Sequence, residues 1–323
     1  TVDKIHDSVT HTGCITIVRV TQDRFQTPWE PFNTEHDGRF STSRNLYKSI
    51  LGNKISFEEI NHDLKLAFRY TWTTSDEYGF VRQCELRNLG DSMAHLDLVD
   101  GFRNILPAGT PLFAQTNTSN LVDAYKWSEL DASTSVALFA LYSGITDRAE
   151  PSESLKATTV FSLGLQHHKI LLSTEQLEQF RLGQDVEQEV HRRGIRCAYL
   201  AQQTLELSPA EVQRWQLVAN TEQTQAEVVA LRRQLRDESR VGEAIERSIE
   251  SGSLALARIM GRGDAYQTTA EENVGVHHYA NVQFNILRGG IFDDQYTVSK
   301  GDFCDTVQHF NHAVYRRNEA LLK

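Results

Sequence analysis

Residues 64–72, Leu-Lys-Leu-Ala-Phe-Arg-Tyr-Thr-Trp, set Leu64, Leu66, Phe68, Tyr70 and Trp72 in strict alternation with Lys65, Arg69 and Thr71. A period of two places one apolar row on one face of a strand. Similar strands are expected at 12–20, 54–60, 79–90, 93–99 and 134–142, with further ones at 156–164, 195–207 and 212–219. The segment 134–142 is apolar on both faces, which marks an interior strand. Turn-forming stretches such as Gly52-Asn53, Asn61-His62-Asp63 and Ser208-Pro209 punctuate the series. Many strands joined by short turns, without regular intervening helices, favour a sandwich over a doubly wound sheet. The expected fold class is mainly β with a helical C-terminal part: a large antiparallel β-sandwich over 1–219, then amphipathic linker helices over 220–323. The Gln/Glu-rich stretch 174–190 is expected as an insertion or short helix on the surface.

At Asn220 the period changes. Ala226, Val229, Ala230, Leu231 and Leu235 recur at three- and four-residue spacing, with Asn220 or Thr221 as the expected N-cap. A second helix is expected over 241–260, stopped by Gly261-Arg262-Gly263, and a third over 277–288, ended by Gly289-Gly290. The fourth opens with Ser299, three residues before Asp302, and carries Phe303, Val307, Phe310 and Val314 on one face. These stripes must pack on the sandwich or on a further domain.

A formal charge of -10, without a basic run, argues against a nucleic-acid partner. No apolar run approaches the roughly 18 residues that span a bilayer, so no membrane partner is expected. The four cysteines, Cys14, Cys84, Cys197 and Cys304, lack metal-type spacing and read as small hydrophobes in a reducing compartment, so a cytoplasmic location is expected. Thr1 in place of an initiator Met, and an end at Lys323 directly after a helix, are what a fragment presents, and the native polypeptide is expected to continue.

Chemistry-bearing patterns are few. His277-His278 and the pair His309 and His312 lie on expected helices without a third ligand, so solvated or packing histidines are expected and no metal. Gly261-Arg262-Gly263-Asp264 reads as a helix-terminating turn, and nucleophile-elbow, P-loop, dinucleotide and C-x-x-C motifs are absent. Two stretches qualify as sugar-binding candidates. In 288–296 paired glycines admit close backbone approach, and Arg288, Asp293 and Asp294 could hydrogen-bond sugar hydroxyls; the alternative is a helix C-cap with solvated acids. In 26–32, Gln-Thr-Pro-Trp-Glu-Pro-Phe, an exposed Trp29 would be a stacking platform for a pyranose; the alternative is Trp29 packed under its own loop.

Several stretches carry a family resemblance. Ile55-Ser-Phe-Glu-Glu-Ile-Asn61, Phe68-Arg-Tyr-Thr-Trp72, Tyr78-Gly-Phe-Val-Arg82 and Asp100-Gly-Phe-Arg-Asn-Ile-Leu-Pro107 resemble the N-terminal region of proteins related to cellobiose phosphorylase. Trp215-Gln-Leu-Val-Ala219 resembles the end of that family's sandwich, and 281–292 the stretch leading towards its catalytic barrel. The resemblance implies a galactose-mutarotase-like super-sandwich, a helical linker and an α/α barrel, in an enzyme that cleaves β-glucosides with inorganic phosphate as co-substrate and inversion. The general acid of such enzymes lies in the barrel, so no catalytic residue maps onto this chain, and no cofactor is implied. The sandwich would serve in dimerisation, giving a homodimer, and in shaping the active-site entrance. Two other readings stay open. One is a free-standing carbohydrate-binding or mutarotase-like sandwich with a carboxylate–histidine pair, Glu58 or Glu59 near His62; the other is a structural or oligomerisation module without a ligand.

Overall fold

Sequence alternation becomes strand pairing. The computed structural model describes residues 8–22, 25–145, 154–166, 168–290 and 297–322. In chain order its strands are β1 (Gly13–Gln22), β2 (Phe25–Trp29), β3 (Thr42–Lys48), β4 (Ile55–Asn61), β5 (Leu66–Ser75), β6 (Gly79–Asn88), β7 (Ala94–Ile105), β8 (Lys126–Asp131), β9 (Val136–Leu141), β10 (Lys156–Leu163), β11 (Lys169–Leu171), β12 (His191–Arg193), β13 (Cys197–Leu207) and β14 (Val212–Thr224). They form a five-stranded sheet ordered β11-β13-β7-β1-β2 and a nine-stranded sheet ordered β12-β8-β9-β10-β14-β6-β5-β4-β3. The named pairings are all antiparallel.

The alternating row of β5 faces the opposite sheet. Leu66 and Phe68 join Leu86 and Trp215 from the nine-stranded sheet, and Val18, Leu98 and Tyr199 from the five-stranded one, in a single core. This is the expected β-sandwich. Each buried Leu or Phe there contributes about 1.5–3 kcal/mol. The interior strand β9 is apolar on both faces because the outer face is covered too, and β10 and β14 share that cover through a few residues. Val136, Phe161 and Val218 pack under Leu231, Leu235, Val241, Ile245 and Ile249, from helices Gln225–Gln234 and Glu238–Arg262.

Short helices Leu112–Asn117 (α1), Ser119–Ala124 (α2) and Leu177–Arg181 (α3) precede that pair, numbered α4 and α5. The polar stretch 174–190 does form a short helix, but one that covers a sheet: Leu177, Phe180 and Val186 seal Ile17, Val99 and Leu200 on the outside of the five-stranded sheet. At the start of α4 the strand continues further than the sequence suggests. Thr224, not Asn220 or Thr221, caps the helix, and its backbone N–H donates to Glu227 Oε2 at 2.7 Å in a capping box.

The chain forms two compact units. One holds residues up to Lys48 together with Asn53–Ile249; the other holds Ser49–Gly52 and residues from Glu250 on. The second unit has its own small core of Met260, Ala265, Tyr279 and Val282, with Leu51 and Ile286 against it. Its helices are Glu272–Leu287 (α6), Lys300–Phe310 (α7), His312–Arg317 (α8) and Glu319–Leu322 (α9). Ser299 caps α7 as expected, accepting from Asp302 N at 3.1 Å. The expected fourth helix is nonetheless broken at Asn311, whose side chain accepts from Val314 N and starts α8. No helix among the described residues is long and apolar enough to cross a membrane.

Candidate functional site

The sequence candidates fall in separate places. Trp29 ends β2, opposite Val18 of β1, with only 1% of its surface exposed. Its Nε1–H donates to Glu59 Oε1 at 2.8 Å, and the buried Glu59 also accepts from Phe32 N at 2.8 Å and Arg44 Nε at 2.7 Å. A ring so enclosed offers no face to a pyranose, which corrects the expectation of an exposed stacking platform. Pro28 made this stretch read as a loop, yet β2 is an edge strand, where proline is tolerated. Arg288 C-caps α6, its backbone N–H donating to Phe284 O at 3.2 Å while its guanidinium lies 5.2 Å from the Phe284 ring. Asp293 and Asp294 lie outside the described residues.

The carboxylate–histidine pair is not formed. Glu58 accepts from Arg69, Asn45 and Tyr47, while His62 Nε2 lies 2.7 Å from Ser43 Oγ. His309 and His312 fall on either side of the break at Asn311, and among the described residues no three metal-ligating side chains converge.

What the structure does bring together is a polar node between the sheets. Arg82 on β6 and Asp100 on β7 are 1% and 0% exposed. Arg82 Nη1 donates to Asp100 Oδ1 and Oδ2 at 2.8 and 2.7 Å. Thr16 Oγ1 and Trp215 Nε1 donate to the same carboxylate at 2.6 and 2.7 Å. Burial opposes the Arg82 charge, but Asp100 outweighs it and holds the guanidinium above its ordinary range. Breaking such a buried pair costs about 3–5 kcal/mol because the survivor is stranded. Beside Asp100, Gly101 is fixed by space: a Cβ there would sit 1.9 Å from Tyr199 O on β13.

The node forms the floor of a cleft of about 610 Å³ that opens between the sheets of the first unit. Cys14, Thr16, Tyr70 and Arg82 lie at its base, with Phe32, His36, Arg103 and Arg181 around it. Tyr70 packs edge-on against Phe32, with ring centroids 5.4 Å apart, and lies 4.5 Å from the Arg82 guanidinium. Burial pushes its hydroxyl up to about 12, with Arg82 partly opposing. Arg181 Nε reaches the buried Glu30 at 2.6 Å; burial opposes its charge, but Glu30 and Glu178 together outweigh burial and raise its pKa. Arg103 is held differently. Its Nη atoms donate to the carbonyls of Thr10, Val9, Thr12 and Cys14. Burial and the neighbouring Arg181 cation both push its pKa down.

Several groups lining this cleft have no hydrogen-bond partner among the described residues: Arg82 Nε, Arg103 Nε and His36 Nδ1, all shielded from solvent. A buried polar group without a partner costs about 1–3 kcal/mol, and three such groups belong to residues that line this one cleft. A second groove of about 610 Å³ lies on the outer face of the nine-stranded sheet. Its polar groups are more fully matched, Gln83 and Gln216 both donating to Glu246 at 2.6 Å and Arg214 pairing with Glu85. The inter-sheet cleft is therefore the better candidate.

The sequence held a signal for it. Arg82 shares strand parity with Cys84 and Leu86, and Asp100 with Leu96, Leu98 and Phe102. A charge in the core row of two strands announces a buried pair.

No protein-family model matches this chain, and no curated protein matches it. Among solved structures it is similar to a bacterial glucoamylase complexed with acarbose, at TM-score 0.42 and 9% identity over 77% of this chain and 32% of that one. A polysaccharide lyase gives TM-score 0.31 and 13% identity over 65% and 25% of the two chains. Heparinase III gives 0.28 and 9% over 58% and 22%. The chain thus spans a third or less of the length of each. At these scores the likeness transfers no activity.

Proposed function

We propose that this chain is a non-catalytic, saccharide-binding portion of a carbohydrate-active enzyme, with the inter-sheet cleft as its sugar site. The observation that carries the reading is the cleft itself, about 610 Å³, in which the aromatic pair Phe32 and Tyr70 stands beside the polar side chains of Glu35, His36 and Arg103. Sugar sites commonly combine aromatic rings with a few placed polar groups. A larger assembly accounts for the second unit, whose helices α6 to α9 leave Phe284, Leu287, Phe303, Phe310 and Leu321 exposed. Free surfaces rarely carry so much large apolar area. In the finer form that the family resemblance implies, the parent enzyme phosphorolyses β-glucosides with inorganic phosphate in the cytoplasm. It acts as a homodimer, and its acid catalyst lies in an α/α barrel.

Saturation-transfer NMR of the chain with cellobiose, glucose and glucuronate tests the reading. Transfer to sugar protons that falls with Tyr70→Phe is expected, with no glucose 1-phosphate formed from cellobiose and inorganic phosphate. Transfer to none of these sugars overturns it.

A further inference from the structure

The outermost strand of a sheet carries a row of unpaired backbone N–H and C=O groups, which proteins blunt with short strands, proline or charge. Three of the four outermost strands of the two sheets are blunted in this way. β11 and β12 are three residues long, β12 also holds two arginines, and β2 contains Pro28. β3 is different. It runs for seven residues without proline and, among the described residues, pairs with β4 alone. Every residue from Thr42 to Lys48 is exposed, Leu46 to 63% and Tyr47 to 46%.

The strand is also held in shape. On one face Asn45 Nδ2 and the Tyr47 hydroxyl both donate to Glu58 Oε2 at 3.0 Å, and the Arg69 guanidinium lies 5.0 Å from the Tyr47 ring. On the other face Arg44 Nε donates to Glu59 at 2.7 Å and Arg44 Nη2 to Asp37 at 2.7 Å, while Leu46 stands opposite Phe57 of β4. Order already fixed lowers the entropy lost when a second strand adds. Charge does not keep that strand away. β3 and β4 set Arg44 and Lys48 against Glu58 and Glu59, so this border is locally neutral although the whole chain carries -10.

From this we infer that β3 pairs antiparallel with β3 of a second copy, about a two-fold axis at Asn45, joining two nine-stranded sheets into one. The register follows from charge. With the axis at Asn45, that residue faces its own copy, Arg44 faces Leu46, Ser43 faces Tyr47 and Thr42 faces Lys48, so no cation stands directly opposite a cation. An axis at Arg44 sets two arginines against each other, and one at Leu46 sets Arg44 against Lys48. Leu46, uncovered in the single chain, then lies on the aliphatic stem of Arg44 of the second copy. The interface is isologous and closes, as most dimers do. The inference deepens the homodimer element of the proposed function and does not depend on the cleft being a sugar site.

Sedimentation of the 323-residue chain over a series of concentrations, together with disulfide cross-linking, tests it. A concentration-dependent dimer is expected. Residues directly opposite on antiparallel strands have Cα atoms about 4.5–5.5 Å apart, within the span of a disulfide. Asn45→Cys is therefore expected to give a covalent dimer on mild oxidation, above any formed by the unaltered chain, whereas Ser43→Cys, which faces Tyr47, is not. Leu46→Lys places a charge at an exposed position, so the fold is retained, and sets it against Arg44 of the second copy. It is expected to weaken the dimer by about tenfold. The Asn45→Cys disulfide decides where the two readouts disagree. Equal cross-linking at both cysteines overturns the axis at Asn45. A dimer that ignores Leu46→Lys and fails to cross-link through Asn45→Cys overturns the β3 interface while the homodimer stands. A monomer at every concentration overturns both.

Discussion

Arg82 donates to both carboxylate oxygens of Asp100 across the interior of the sandwich, at 2.8 and 2.7 Å, and so joins β6 of one sheet to β7 of the other. Neither residue touches solvent appreciably. Removing one partner strands the other, whereas removing both leaves an apolar gap of moderate cost. Arg82→Met and Asp100→Leu are each expected to lose about 3–5 kcal/mol. Arg82→Met combined with Asp100→Leu should lose much less than the two single losses added. Urea unfolding of the full cycle measures this, and additive losses would count against a coupled pair.

The turn between β8 and β9 should govern part of the acid stability. Burial would raise the Asp131 pKa, but hydrogen bonds from Ser133, Arg232 and Thr134 outweigh it and hold the carboxyl down at about 2. The unfolded value is about 3.9. The folded state is therefore fully favoured above that value, and the contribution is lost as pH falls from there towards 2. Asp131→Asn is expected to flatten the stability profile over this window and leave its shape at neutral pH unchanged, as read by denaturant midpoints at successive pH values.

Trp29→Phe tests the buried reading of that residue. The indole N–H to Glu59 is lost, while Phe32 N and Arg44 continue to satisfy the carboxylate. A loss of about 1–2 kcal/mol is expected, with sugar affinity unchanged within twofold. A large drop in sugar affinity at full stability would restore the stacking role.

Two glycines should respond in opposite directions to alanine. Gly101→Ala drives a methyl into the Tyr199 carbonyl, forcing β7 and β13 apart, and is expected to cost about 3 kcal/mol or more. Gly242, in α5, has no neighbour within 4 Å of a built Cβ. Gly242→Ala should stabilise the chain by about 0.5–1 kcal/mol. Thermal melts distinguish the two.

How far the sequence could be read depended on which force shaped each element. The row from Leu64 to Trp72 is legible because its apolar members Leu64, Leu66, Phe68, Tyr70 and Trp72 all join or pack against one core, although the residues between them are themselves buried or half-buried. Strand β3 has no buried residue along its length, so nothing in Thr42–Lys48 alternates. Pro28 masks β2 in the sequence, and the capping box at Thr224 to Glu227 lies beyond Asn220, where the period changes. The candidate cleft was harder still. Its residues come from distant strands, and only the charges at Arg82 and Asp100, set in otherwise apolar rows, pointed to it. Trp29 and Arg288 are residue types suited to sugars, but one is enclosed and the other ends a helix.

The double cover of β9, β10 and β14 decides where this polypeptide can be divided. A chain cut at the end of β14 would lay bare Val81, Val136, Phe161 and Val218 as a continuous sticky sheet face, because Leu231 to Ile249 shield them. Such a product should fall out of solution, while one ending after Ile249 should stay dispersed, so the smallest soluble sandwich carries both covering helices with it.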